Sequence, residues 1–215
     1  MAEARYAGYA STPIDFIFSL SNTDLTLSTP NTEFPASLEK ISISVFNTLD
    51  PQLQLGFIAG QSYLSLGNDA ATAGMRLSGY HAGLAVRGNY GGNSVSNYSS
   101  NPQINLQISY LYQETKDTLE ARSATLSWHE LSADASVKLN IGQRLGIILG
   151  GSYSDLKAQR RATGDINETI KLNLAPGVQS RLALELRTPP NGRVSLVFHR
   201  GAYEGVTLNF ARRFR

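Results

Sequence analysis

Three histidines are the side chains best suited to moving protons near neutral pH, and their neighbours limit what each can do. His81 is followed by Ala-Gly, His129 by Glu-Leu and His199 by Arg-Gly. His129-Glu130 beside Trp128 reads either as an acid–base or metal pair, or as polar groups next to an interfacial tryptophan. No other histidine or carboxylate stands at metal-ligand spacing to it, which favours the second reading. The chain has no cysteine, so disulfides, thiolate metal sites and cysteine nucleophiles are excluded. Gly91-Gly92-Asn93 and Leu149-Gly150-Gly151 have no Lys-Ser after them and are not phosphate loops. No catalytic residue, cofactor or metal ligand is assigned.

Charged residues are the other candidates. Arg87, Asp134, Lys138, Arg181, Glu185 and Arg187 all fall on the polar parity of alternating segments. If that parity faces a narrow interior they must pair, because an unpaired buried charge is costly. They would then plug the interior or line a narrow pore, and the plug is preferred. Lys157, Arg160 and Arg161 form a second cluster, suited to charge-assisted bonds with phosphate or standing as solvated charges.

These groups are carried by segments with an apolar residue at every second position, the pattern of strands. Four of them, 51–63, 102–112, 143–153 and 192–203, open on a polar turn and reach a tyrosine about ten residues later, near the length of a membrane-crossing strand. The combs include Ile14, Phe16, Phe18 and Leu20; Leu53, Leu55 and Phe57; and Ile104, Leu106 and Ile108. Residues 170–186 keep one apolar parity, with Lys171, Asn173, Arg181 and Glu185 opposite. Parity slips near Gly79 and near His129-Glu130, as at a bulge or in strand portions beyond a bilayer. Alternation gives about ten strands, within bounds of about eight to twelve. Connections at 49–51, 141–143 and 188–192 are short, while 28–36, 67–73, 116–123 and 159–168 read as longer polar loops. The Gly, Asn and Ser content of 90–102 makes it a flexible loop on the short-turn side.

A soluble sandwich and a membrane barrel both alternate. The barrel is favoured because the combs carry no charge over a membrane's depth, where one would cost about 2–4 kcal/mol. Tyr63, Tyr110, Tyr112 and Tyr153 share the apolar parity at the long-loop end, and with Trp128 they form an expected outer aromatic belt. The opposite parity is rich in Gly, Ser, Asn and Gln, which suits a narrow lumen. Net charge is only +2, so no basic field points to nucleic acid.

Over nearly its whole length the chain resembles the small bacterial outer-membrane β-barrels. Its last strand, 205–215, is similar to the terminal strand of that class, which ends on an aromatic. Here Phe214 is penultimate and Arg215 follows, while Arg212 shares the lipid-side parity and is expected to snorkel to the headgroups. The resemblance implies an all-β, antiparallel up-and-down transmembrane barrel, one domain over 1–215, in the bacterial outer membrane. The export signal is then taken as removed, with Met1 added to a mature sequence. Barrel deacylases of this class use His-x-Ser with a glutamate, and its proteases use paired aspartates with Asp-x-His; neither pattern occurs here.

The expected role is non-enzymatic: a monomeric structural, surface-interaction or narrow-pore barrel. Its partners would be outer-membrane lipids and lipopolysaccharide (held by Lys157, Arg160 and Arg161), with a small solute or surface partner besides. The alternatives are a barrel hydrolase acting on lipid or peptide and a soluble lipocalin-like barrel.

Overall fold

The computed structural model describes residues 12–50, 52–91, 102–174 and 177–214. Met1, Pro51, Arg215 and most of the 90–102 segment lie outside the described residues. The strands are β1 (Ile14–Ser28), β2 (Glu33–Asp50), β3 (Leu53–Leu66), β4 (Leu77–Tyr90), β5 (Gln103–Leu119), β6 (Arg122–Ile141), β7 (Leu145–Thr163), β8 (Glu168–Leu174), β9 (Gly177–Thr188), β10 (Gly192–Arg200) and β11 (Tyr203–Phe214). Every pairing is antiparallel, and β1 closes the ring on β11 with Ile14 opposite Phe214 and Leu25 opposite Tyr203.

The ring changes size along its axis. Toward the short turns it runs through β1–β7, β9, β10 and β11, which makes ten strands. Toward the other end β10 and β11 have stopped. There β8 pairs with β7 on one side and reaches β1 on the other, with Leu27 opposite Leu174, so eight strands complete the wall. The expected single strand at 170–186 is therefore two. Lys157 lies opposite Asn173 and Ser154 opposite Gly177. Three residues of β7 are thus passed by four of the β8–β9 arm, a one-residue shift that turns side chains to the other face. Leu172 and Leu174 point inward above it, and Leu182, Leu184 and Leu186 outward below it.

The strands run well beyond the apolar band. On the ten-strand level the outward residues are large and apolar and stand open: Ile43, Phe57, Leu84, Ile108, Leu149 and Leu184 are all at least half exposed. A soluble barrel would turn this face to water, whereas in a bilayer it meets lipid. At the eight-strand level the polarity is reversed. Leu27, Leu64, Leu77, Ala124 and Leu126 point inward at 0% exposure. They pack with Phe34, Leu38, Met75, Trp128, Leu156 and Leu172 into one core. Their outward neighbours are Ser65, Thr125, Lys157 and Lys171, as on any strand with one face in water.

This reversal accounts for the expected parity slips. The β6 register runs unbroken against both neighbours from Ser123 to Lys138, and β4 is regular through Gly79. No residue is inserted; the apolar residues move to the other parity because the surroundings change. For the same reason 28–36, 116–123 and 159–168 are mostly strand, with polar residues outward and apolar ones inward. The β5–β6 connection is only Glu120 and Ala121. The β3–β4 connection is longer, and it folds back over the collar with Asp69, Ala71, Thr72 and Met75 buried.

Because the collar has a packed core, Leu64→Ala is expected to cost about 2–5 kcal/mol by leaving a cavity. Ser65→Ala, on the outer wall of the same strand, should change stability by about 0.5 kcal/mol or less. Urea unfolding in detergent micelles measures both.

Candidate functional site: the charged lumen and the collar wall

The lower lumen is organised around Asp15, whose side chain is 1% exposed. Arg213 from β11 bonds both carboxylate oxygens, Nε to Oδ1 at 2.6 Å and Nη2 to Oδ2 at 2.9 Å. Arg87 from β4 donates to Oδ2 and to Gln54, and Gln54 itself donates to Asp15. Arg193 from β10 approaches to 3.9 Å. A bidentate guanidinium pair is the strongest geometry available to these groups. Beneath Arg87 the Phe46 ring lies 4.0 Å from its guanidinium carbon. The ring can lie there because Gly56 has no side chain: a Cβ would meet it at 2.4 Å.

Beside this hub Lys138 pairs with Glu185, and Arg187 bonds Glu185 and Asn140. Lys138 is on β6 and Glu185 on β9, so the pair crosses β7 at Gly146. A Cβ there would stand 3.3 Å from Lys138 Cε. Higher up Arg181 reaches Asp134 at 3.2 Å, again across β7. All six expected lumen charges therefore point inward and are paired. Lys40 on β2 meets Glu130 on β6 across the lumen at 3.7 Å, directly under the collar core.

The sequence pattern alone does not single out Asp15, Arg193, Arg213 or the Lys40–Glu130 bridge. Asp15 carried a signal, a lone carboxylate on the polar parity of an apolar comb. Arg193 and Arg213 lie near strand ends, where charge is unremarkable. The Lys40–Glu130 pairing needs the register of strands that are not neighbours.

The histidines separate. His81 is buried in the lumen between Ser42 Oγ and Ser62 Oγ, each 2.8 Å from a ring nitrogen. That is nucleophile–base spacing, but the group on the far nitrogen is a hydroxyl. His129 faces outward, 2.6 Å from Tyr110 Oη and stacked on that ring. His199 faces inward near Thr207. Among the described residues no group of His, Asp and Glu has metal-binding geometry.

Two expected outer-surface residues are inside. Trp128 is 1% exposed in the collar core, not in the aromatic belt. It shares parity with Leu126 and Ala124, which turn inward above the bilayer. Arg160 is also buried, held by Asp69 and Glu168. It sits on β7 between inward Ala158 and Ala162 and ties the folded-back β3–β4 connection to the wall. Lys157 and Arg161 do face outward. Tyr63, Tyr110, Tyr112 and Tyr153 stand on the outer face, and Tyr80 joins Tyr112 at 6.5 Å. Arg212 is exposed at the lower rim beside Phe214.

An apolar outward band, a polar paired lumen and a closed antiparallel ring define the class: this is a transmembrane β-barrel of the bacterial outer-membrane type. No protein-family model and no curated protein matches the chain. Solved structures do. An outer-membrane channel from Pseudomonas putida F1 aligns over 100% of both chains at TM-score 0.52 and 10% identity. The outer-membrane protease OmpT from Escherichia coli aligns at 0.52 and 9%, covering 94% of each chain. The outer-membrane protein OprG from Pseudomonas aeruginosa aligns at 0.50 and 10%, over 95% of this chain and 97% of that one. Identities this low carry the fold and leave activity to the residues themselves.

Breaking one lumen pair should be worse than removing it. Lys138→Met alone is expected to cost about 3–5 kcal/mol by stranding Glu185, while Lys138→Met with Glu185→Leu should recover most of that loss. Urea unfolding of the single and double variants in vesicles tests it.

Proposed function

We propose that the protein is a closed, non-enzymatic barrel of the outer membrane that works through its extracellular collar, with no conducting lumen. One observation carries this reading: inward residues on β1, β3, β4 and β6 (Leu27, Leu64, Leu77 and Leu126) have no accessible surface at all. A water-filled channel would wet them. The Asp15 hub supports closure at the opposite mouth, where its groups bind one another across the ring.

The collar wall supports a lipid-facing role. Lys157 and Arg161 alternate along the outer face of β7. Lys171 on β8 lies diagonal to both, since Lys157 opposes Asn173 and Arg161 opposes Thr169. Diagonal neighbours are about 7–8 Å apart, a spacing over which long basic side chains can share phosphate groups. They stand above Tyr153 on the same strand, beyond the interfacial tyrosines. Phosphates of lipopolysaccharide fit this position and charge. Arg160 has no part in it, and Lys171 takes its place.

In a planar bilayer the wild type should pass no stepwise current, and Arg181→Ala/Arg187→Ala should stay closed because the collar core is untouched; steady single-channel steps in the wild type would overturn closure. Separately, Lys157→Gln/Arg161→Gln/Lys171→Gln should co-purify with clearly less lipopolysaccharide and unchanged phospholipid, as weighed by mass spectrometry of extracted lipid. Equal lipopolysaccharide in both proteins would remove the contact.

A further inference from the structure

Among the described residues the Asp15 hub is unbalanced. Its one carboxylate serves three guanidinium groups, those of Arg87, Arg193 and Arg213. Glu185, the other carboxylate on which the charge of Arg193 acts, is already engaged by Lys138 and Arg187. Like charges gathered in a partly desolvated space repel strongly unless a counter-charge joins them. Two of the three guanidinium groups remain reachable: the Arg193 side chain is 35% exposed and that of Arg213 is 39% exposed, against 15% for Arg87.

The register places these two side by side. Arg193 opposes Ala211, so Arg213 is its diagonal neighbour on the inner face of β10 and β11. Arg213 is held by its bidentate bond to Asp15, whereas Arg193 approaches Asp15 to 3.9 Å and acts on Glu185 through charge, with no hydrogen bond to either among the described residues. Arg193 therefore keeps donors to spare. Guanidinium groups present planar N–H pairs that match oxyanions better than spherical halides.

We infer that Arg193 and Arg213 form an oxyanion-binding site at the periplasmic mouth of the barrel, open to a phosphate or carboxylate group arriving from the short-turn side. The anion bridges the two guanidinium groups and supplies the charge that Asp15 alone does not. The site lies at the opposite end of the molecule from the collar wall and is independent of any lipopolysaccharide contact.

Thermal unfolding of the full chain in nonionic detergent tests the site, with inorganic phosphate, succinate and chloride compared at matched ionic strength. Phosphate and succinate should each raise the midpoint above chloride in the wild type. Phosphate stabilising alone would narrow the ligand to phosphate groups and still support the site. Arg193→Gln should lose the difference, with its phosphate affinity in calorimetry down by about tenfold, the scale of one charged hydrogen bond. Arg193 is the residue to change because Asp15 keeps Arg87 and Arg213, so the hub survives. The faster gel migration of the unboiled variant shows that it is folded. Equal midpoints for all three salts in the wild type would overturn the site. So would an oxyanion effect that persists undiminished in Arg193→Gln, since the anion would then bind elsewhere.

Discussion

Each strand of this protein crosses from lipid into water while its side-chain period stays at two residues. Everything else in the structure answers to that constraint. Within the bilayer the outward parity must be apolar and the lumen takes what polar groups remain. Above it the outward parity must be polar, and the interior becomes the place for leucine and tryptophan. The chain makes the exchange in two ways. On β6 the backbone continues without interruption and the residue types change parity, from outward Leu131 and Ala133 to inward Trp128 and Leu126. Between β8 and β9 the residue types keep their parity and the backbone shifts by one. Either solution gives a lipid-facing belt below and a water-soluble collar above.

The two interiors are held by different physics. The collar is an ordinary apolar core, with side chains from seven strands excluding water. The lower lumen is polar, and its stability rests on pairing every carboxylate: Asp15, Glu185 and Asp134 each have a cationic partner, and glycines on β3 and β7 give the long side chains room to lie across the wall. Arg160 and Asp69 belong to a third arrangement, a buried ion pair that fastens a connection over the collar. Pairs of this kind add little net stability over an apolar substitute but penalise any rearrangement that separates them. They therefore favour a single closed arrangement of the wall.

Much of the membrane-level structure was legible in the residues. Combs such as Leu53-Leu55-Phe57 and Ile104-Leu106-Ile108 specify strand, face and environment together, and the inward set from Arg87 to Arg187 follows from the same parity. The collar is harder to read because its polar composition resembles that of a loop. Its alternation is present in Ala124, Leu126 and Trp128 and again in Leu156, Ala158 and Ala162, but with the sign reversed. The residue type of Trp128 points to the interface, although its parity is that of Asp134 and Lys138. Asp69 had no periodic context at all. The partners of Asp15 depend on how strands far apart in sequence meet around the ring.

The fall from ten strands to eight gives the wall unequal heights. On one side β6 and β7 rise through 20 and 19 residues; on the other β10 stops after 9 and β11 spans 12. A barrel of uniform height looks the same from every direction in the membrane plane. This one has a tall flank and a low shoulder, and so a heading. Neighbours packed against the shoulder, where Val178 stands open, meet the base of the collar directly, while those on the far flank meet a wall of strands. Crowding from the two sides therefore presses on different surfaces of the same molecule.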